Sequence, residues 1–301
     1  MSSSARIGDL LAAGRCISFE FFPPRTDEAE RQLSLALAEL APLAPSFVSF
    51  TYGAGGTTRD RTHDLVVDFQ QRTGLPAMAH LTCVGHRATE LVDLLQSYQA
   101  QGVTNILALR GDPPAGVDLP AGDLDHASDL VELIRGVGGF SIGVAAHPER
   151  HPASPSLASD RRHLAAKLRR ADFAVTQFFF RAEDYLSMVD DLARRGVDKP
   201  VIPGIMPVTN VKQVQRFAEL SGAEIPVELA DRLHRVADNP AEVRRVGVAA
   251  ATELCATLLD AGVPGLHFYT LNRSQATMEI LVNLGLATAS PMAKPTAAAN
   301  S

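Results

Sequence analysis

Cysteine and the larger aromatic residues are scarce in this sequence. It has three cysteines, four tyrosines and no tryptophan among its 301 residues. Cys16, Cys83 and Cys255 are odd in number, far apart and without a C-x-x-C spacing, so they argue against a disulfide framework and against a structural zinc site. We therefore expect a reduced, cytoplasmic protein.

Long apolar runs and excess positive charge are absent too. No segment reaches the roughly eighteen apolar residues of a membrane-spanning helix, and the start of the chain lacks the apolar core of a secretory signal. Lys and Arg number 28 against 34 Asp and Glu, which gives a formal net charge of −6. Because no basic field is available for a phosphate backbone, we expect neither nucleic acid nor a membrane as a partner. An anionic small molecule would need a local basic pocket.

What is present is an alternation of β-rich runs and amphipathic helical segments. Eight strands are predicted, at Ile17–Phe22, Phe47–Tyr52, Ala77–Cys83, Asn105–Arg110, Ser141–Ala146, Phe173–Phe178, Val201–Met206 and Gly265–Tyr269. Helices are predicted between them, with two extra helices at Val227–Ala237 and Pro240–Ala261 before the last strand. This pattern predicts one (β/α)8 TIM barrel over residues 1–287 and a flexible tail at 288–301, with a doubly wound sheet as the alternative.

Polar side chains follow the carboxyl ends of most predicted strands, where barrel enzymes place their chemistry. These side chains are Glu20, Thr51, His80, Arg110, Asp112, His147, Gln177 and Arg273. The opposite ends of the strands carry few such groups. One rim of the barrel is therefore predicted to be functional and the other structural.

Two carboxylates stand out on that rim. Strand alternation turns Glu20 into the barrel mouth and its phenylalanine neighbours toward the helices, which makes Glu20 a candidate general acid. Its alternative role is a structural ion pair with an inward arginine such as Arg110. Asp112 follows Gly111, which permits close backbone approach to a ligand, and the alternative for this segment is a simple turn.

Several other chemistries lack their residues. None of the lysines (Lys167, Lys199, Lys212, Lys294) lies in a predicted strand, so a Schiff-base aldolase has no nucleophile. The glycines at 53–56 fail the dinucleotide spacing and are a weak indication of phosphate binding. Pro148 prevents the helical geometry that would place His147 and His151 on one metal ion, so we expect these histidines to bind a ligand rather than zinc.

A set of short strings, in order from Ser18 to about Leu286, carries a resemblance to a known family. They are Ser18–Thr26, Thr51–Ala54, Arg59–Thr62, His80–Cys83, Leu109–Asp112, Thr176–Phe180, Pro203–Pro207 and His267–Arg273. Together they resemble bacterial methylenetetrahydrofolate reductase. The resemblance implies a flavin-dependent (β/α)8 oxidoreductase that converts 5,10-methylenetetrahydrofolate to 5-methyltetrahydrofolate for methionine synthesis, by ping-pong transfer from NADH or NADPH through bound FAD.

The resemblance also implies roles for individual residues. Glu20 matches the acid that protonates N10 of the folate, and Asp112 matches a carboxylate beside the flavin. The residues that match FAD contacts are Thr51, His80, Arg110, Gly111, Asp112, His126, Ala127, His147, His151, Asp160 and Lys167. Those that match substrate contacts are Glu20, Gln177, Gln213, Phe217 and Arg273. A homo-oligomer without a metal is expected.

Two departures from the family pattern bear on the cofactor. His126 and His147 stand where well-known bacterial members have tyrosines, so aromatic packing on FAD is expected to be weaker. This leaves open direct hydride transfer without flavin, and also a folate- or flavin-binding barrel without catalysis. A related flavin barrel that oxidises proline is disfavoured by Gln177, Phe217 and Arg273.

Overall fold

The computed structural model describes residues 4–52, 59–112 and 122–288. Its centre is a closed barrel of eight parallel strands in chain order. The strands are β1 (Cys16–Phe21), β2 (Phe47–Phe50), β3 (Ala77–Thr82), β4 (Asn105–Leu109), β5 (Ser141–Ala146), β6 (Phe173–Phe178), β7 (Val201–Ile205) and β8 (Gly265–Tyr269). Because β1 pairs with β8, the sheet closes, which confirms the TIM barrel and excludes the doubly wound sheet.

Helices connect the strands and surround them. They are α1 (Ile7–Ala13), α2 (Asp27–Leu40), α3 (Arg59–Thr73), α4 (Ala88–Ala100), α5 (Ala127–Val137), α6 (Leu157–Arg170), α7 (Ala182–Arg194), α8 (Val211–Ser221), α9 (Val227–His234), α10 (Pro240–Asp260) and α11 (Gln275–Asn283). The extra helices α9 and α10 lie between β7 and β8, as predicted. In the part of the chain the structure describes, no helix has the length and apolarity needed to cross a membrane. The predicted tail, apart from Thr288, and the glycine-rich 53–56 lie outside the described residues.

The interior of the barrel is divided into an apolar end and a polar end. At the amino ends of the strands, Phe47, Met78, Leu107 and Phe173 form a buried cluster with Ile7 of α1. The backbone N–H of Ile7 donates to Asn105 Oδ1 at 2.8 Å, so α1 closes this end of the barrel. Ligand access is therefore left to the opposite, carboxyl end of the strands.

Local capping fixes where the helices begin on that functional rim. The Ser156 hydroxyl accepts from the N–H of Ser159 at 3.1 Å at the start of α6. At the start of α8, Asn210 Oδ1 accepts from the N–H of Gln213 at 2.9 Å. Each contact satisfies a free amide of a first helical turn. The second one also fixes the backbone of a residue predicted to bind substrate.

Candidate active site

Glu20 is buried at the mouth of the barrel, where it contacts two histidines and a serine. His80 Nε2 lies 3.4 Å and His267 Nε2 lies 3.3 Å from Glu20 Oε2. The Ser49 hydroxyl lies 3.5 Å from the same oxygen. All three contacts, which are the ones found for the Glu20 carboxyl group among the described residues, are made to Oε2. The inward orientation predicted for Glu20 is confirmed, and the other carboxyl oxygen, Oε1, is the one left for a ligand.

The predicted alternative, an ion pair between Glu20 and Arg110, is wrong. Arg110 is exposed, and its Nε donates to the backbone carbonyl of Asp125 at 3.1 Å. The partners of Glu20 come instead from β3 and β8. Burial lowers the pKa of His80; the Glu20 charge opposes this shift and His267 adds to it.

The loop after β8 holds the end of β1 in place. The Thr270 hydroxyl donates to the Glu20 carbonyl at 2.6 Å. Asn272 Oδ1 accepts from the N–H of Phe22 at 2.8 Å, and Asn272 Nδ2 donates to the Phe22 carbonyl at 3.0 Å. Leu271 and Asn272 have φ values of 52° and 56°, the left-handed region that non-glycine residues rarely adopt. This strained turn thus fixes the backbone at the candidate acid and two residues beyond it.

A cleft of about 1000 Å³ opens on this rim, and Glu20 is not among its described lining residues. Its walls include three of the predicted substrate residues, Gln213 and Phe217 from α8 and Arg273 from the loop after β8. Phe22 and Tyr269 line it as well. Gln177 is not among the described lining residues; its Oε1 accepts from the N–H of Phe178 at 3.0 Å. The cleft therefore combines an aromatic wall with two cationic side chains, Arg244 and Arg273.

A cationic cluster lies on the same rim at the end of β5. Lys167 Nζ donates to the Ala145 carbonyl at 2.8 Å. Arg161 Nη1 donates to the His147 carbonyl at 2.7 Å, and Arg161 Nη2 contacts the carbonyl of Pro148. The rings of His147 and His151 meet edge to face, with centroids 4.6 Å apart. This cluster places two cationic side chains, Lys167 and Arg161, beside the end of β5, where positive charge favours an anionic ligand.

Two groups in the cluster have displaced pKa values. Burial, followed by the charges of His151, Lys167 and Arg161, lowers the pKa of His147 to about 3. Burial lowers the pKa of Lys167 to about 8, opposed by the charge of Asp160. Asp160 Oδ2 also accepts from the N–H of His151 at 3.4 Å, so it ties α6 to the loop after β5. Of the residues that the structure describes, no group of three or more His, Cys, Asp or Glu side chains could hold a metal ion.

The low pKa of His147 predicts a pH-dependent loss of stability. The unfolded chain binds a proton below the ordinary pKa of 6.5, whereas folded His147 does so only near 3. Stability should therefore fall as the pH drops through this range, by about 2 kcal/mol at pH 5 from this group. In the His147→Gln variant, urea unfolding at pH 7 and pH 5 should no longer show the loss of stability that His147 causes. His163→Gln, at an exposed position of α6, is the control. If the free energy of unfolding changes equally between pH 7 and pH 5 in both variants, the assignment is contradicted.

The remaining predicted cofactor residues lie on neighbouring parts of the rim. Gly111 has a φ of 79°, and a side chain there would meet Thr82 Cβ at 2.7 Å. Thr82 Oγ1 is buried without a hydrogen bond among the described residues. Asp112 is exposed after the end of β4, three strands away from β1 around the barrel. Thr51 follows β2, and His126 and Ala127 begin α5.

Sequence reasoning missed several residues of this site. His267, Ser49 and Tyr269 were not singled out, although each lies at a strand position paired with β1. The signal that could have found them is the period of two, which places alternate residues of β8 inside the barrel. Asn272 lies within the segment His267–Arg273, but its contact with Phe22 depends on a turn that the sequence does not reveal.

Comparisons with known proteins agree on one family. Residues 6–285 match the family described as methylenetetrahydrofolate reductase. The chain is 43% identical over 272 residues to 5,10-methylenetetrahydrofolate reductase of Escherichia coli (strain K12), covering 90% of each chain. It is 38% identical over 284 residues to methylenetetrahydrofolate reductase (NADH) 1 of Arabidopsis thaliana, covering 89% of this chain and 48% of that protein.

A solved structure supports the fold independently. A Clostridium thermocellum protein, described as binding two copies of 5-methyl-5,6,7,8-tetrahydrofolic acid, superposes with a TM-score of 0.65. The match covers 93% of this chain and 96% of the Clostridium thermocellum chain, at 16% sequence identity. At that identity the likeness shows the barrel fold alone.

Proposed function

Because the chain belongs to the methylenetetrahydrofolate reductase family, it is a reductase of 5,10-methylenetetrahydrofolate, and we propose that it forms 5-methyltetrahydrofolate with electrons from NADH or NADPH relayed by FAD. The observation that carries the proposal is the position of Glu20. Its carboxyl group is held at Oε2, and Tyr269, its paired residue on β8, lines the same cleft as Phe217 and Arg273. A proton donor and a folate-sized cleft thus share one rim. NADH in the name of the plant relative supports NADH as the donor.

Glu20 supplies the acid of the reaction. Opening of the five-membered ring of the folate breaks the bond from the bridging carbon to N10, and N10 takes a proton. Glu20 gives that proton from Oε1, while the hydrogen bond with His267 holds Oε2. The N5 iminium that results is positive, and Asp112 on the same rim stabilises it. Arg273 binds a substrate carboxylate by a charge-assisted hydrogen bond.

The residues present fit FAD, and two observations of this structure support that. The cationic cluster of Lys167 and Arg161 suits a pyrophosphate. Gly111 packs so closely on Thr82 that a side chain would collide with it, and the Thr82 hydroxyl is buried without a hydrogen bond among the described residues, so it is free to bind a ligand. The residues that would hold FAD are Thr51, His80, Arg110, Gly111, Asp112, His126, Ala127, His147, His151, Asp160 and Lys167. When bound, FAD supplies the hydride that reduces the iminium.

Titration with FAD tests the cofactor assignment. The protein should quench flavin fluorescence in a saturable way, and Lys167→Met should weaken binding about 10-fold or more, because it removes a cation from the cluster. Lys199→Met, at an exposed position before β7, should bind as the unmodified protein does. Absence of saturable binding, with folate reduction in flavin-free buffer, would replace the proposal with direct hydride transfer from NADH. Flavin binding without any folate reduction would indicate a non-catalytic barrel.

One cleft serves the nicotinamide and the folate in turn. Phe217 and Gln213 lie on one wall, and an aromatic ring at that position stacks on either substrate, a contact of about 0.5–1.5 kcal/mol beyond its area. Phe217→Ala should therefore raise both KM values by roughly 2- to 10-fold. Leu220→Ala, on the exposed side of α8, should change neither.

The kinetic pattern provides a second readout of the shared cleft. Initial-rate plots of the unmodified enzyme should be parallel, because the oxidised nicotinamide must leave before folate enters. Intersecting lines would show both substrates bound together and would contradict the shared cleft. Cytoplasmic localisation, a role in methionine synthesis and a homo-oligomer are proposed alongside this function.

A further inference from the structure

His267 is fully buried in the barrel, with polar contacts at both ring nitrogens. The Ser18 hydroxyl lies 2.8 Å from Nδ1, and Nε2 lies 3.3 Å from Glu20 Oε2. The ring stacks on Phe47, with centroids 6.0 Å apart and an interplanar angle of 17°. An imidazole held on both edges and one face has little freedom to turn. Burying it here in place of an apolar residue requires a role for its hydrogen bonds.

We propose that His267 is a positioning residue that assigns separate tasks to the two oxygens of Glu20. Resting on the proposed function, the inference is that the Nε2–H of His267 holds Oε2, so that Oε1 carries the proton transferred to N10 of the folate. Ser18 supports the tautomer of His267 that makes this possible. Neither residue touches the substrate, and both act through Glu20.

The tautomer follows from the contact of His267 with Glu20. Nε2 faces a carboxyl oxygen at 3.3 Å, which calls for a hydrogen on Nε2, and the Ser18 hydroxyl, 2.8 Å from Nδ1, is then the donor to Nδ1. A neutral imidazole that accepts at Nδ1 carries its proton at Nε2. That proton faces Glu20 Oε2. A donor on Oε2 disfavours protonation of that oxygen and directs the proton to Oε1.

The barrel register holds these groups at fixed heights. Ser18 is paired with His267, and Glu20 is paired with Ser49 on one side and Tyr269 on the other. Because paired residues of neighbouring parallel strands face the same side of the sheet, the network does not depend on loops. Moving any of these side chains would require a shift of the strand register.

The other groups around Glu20 are neutral, so they leave its proton available. His80 approaches from β3, and burial lowers its pKa. Tyr269 approaches from β8 with its hydroxyl on the Thr176 carbonyl at 2.6 Å, and burial, followed by the Glu20 charge, raises its pKa well above the usual range. Ser49 completes the set. A Lys or Arg in place of a histidine would hold Glu20 ionised and remove the acid.

The test compares three variants in the separate half-reactions of FAD-loaded protein. His267→Leu should lower the rate of folate reduction about 10- to 100-fold, part of the range for a general acid, with little change in folate KM. The pH dependence of folate reduction should also shift, because Oε2 loses its donor. His267→Gln, whose amide nitrogen reaches the place of Nε2, should recover most of the rate. The rate of folate reduction by Ser18→Ala should lie between the rates of the other two variants. NADH should reduce the flavin equally fast in all three variants and in the unmodified protein.

Each other outcome has a definite meaning. Unchanged folate reduction in a folded His267→Leu variant would overturn the inference, as would a His267→Gln variant as impaired as His267→Leu. Equal losses in both half-reactions would also overturn it and indicate a structural role. If His267→Leu does not fold, Ser18→Ala and His267→Gln decide the question through the pH dependence of folate reduction. Failure of the unmodified protein to reduce folate would instead contradict the proposed function, which keeps the two tests distinct.

Discussion

Glu20→Gln is expected to lower folate reduction about 100-fold or more, the usual range for loss of a general acid, while NADH still reduces the bound flavin at an unchanged rate. Glutamine keeps the size of the side chain and accepts a hydrogen bond from His267, but it has no proton to give N10. The two half-reactions should be followed separately by anaerobic stopped-flow absorbance.

The control for this substitution is Glu30→Gln, on the exposed surface of α2, which should leave both half-reactions unchanged. An equal loss of both half-reactions in Glu20→Gln would assign Glu20 a structural role within the barrel. Full activity would show that the acid lies elsewhere on the rim.

The second large effect is expected for stability, at Gly247 in the middle of α10. A side chain there would meet the Val208 carbonyl oxygen at 1.9 Å, because α10 packs directly on the chain leaving β7. Ala is the better helix former by about 1 kcal/mol, but a collision with backbone forces the helix outward. Gly247→Ala should lower the free energy of unfolding by about 3 kcal/mol, the upper range for overpacking. At roughly 2 °C per kcal/mol, the Tm should fall by about 6 °C.

Gly136→Ala provides a matched comparison within a helix. No atom lies within 4 Å of a side chain placed at Gly136, which is exposed near the end of α5. There the gain in helix propensity acts alone and should raise stability by up to about 1 kcal/mol. Urea unfolding of both variants gives the comparison. A stable Gly247→Ala variant would show that α10 can move away from Val208 at little cost.

The sequence predicted the architecture because the barrel depends on features that repeat along the chain. The predicted strands Ser141–Ala146, Phe173–Phe178 and Gly265–Tyr269 agree with the structure to the residue. Alternation also placed Glu20 inside and Phe19 outside, against the helices. The helix α1 was not predicted, because it has only seven residues and no side-chain cap. Its position depends on a contact with Asn105, about a hundred residues away.

The site was only partly predictable, because its contacts join strands that are distant in sequence. Glu20 was identified, but its partners His80 and His267 approach from β3 and β8 once the barrel closes. Arg110, the partner considered in the alternative interpretation, instead binds the Asp125 carbonyl next to α5. Ring closure, which sequence periodicity does not contain, decides which inward residues meet.

The most direct test of the central claim is to follow the visible absorbance of FAD-loaded protein through one anaerobic cycle. NADH should bleach the flavin, and 5,10-methylenetetrahydrofolate should then restore the oxidised spectrum with formation of one equivalent of 5-methyltetrahydrofolate. This result would show that the rim around Glu20 relays electrons from nicotinamide to folate. Bleaching by NADH without recovery on adding the folate would contradict the account, as would formation of 5-methyltetrahydrofolate while the flavin spectrum stays unchanged.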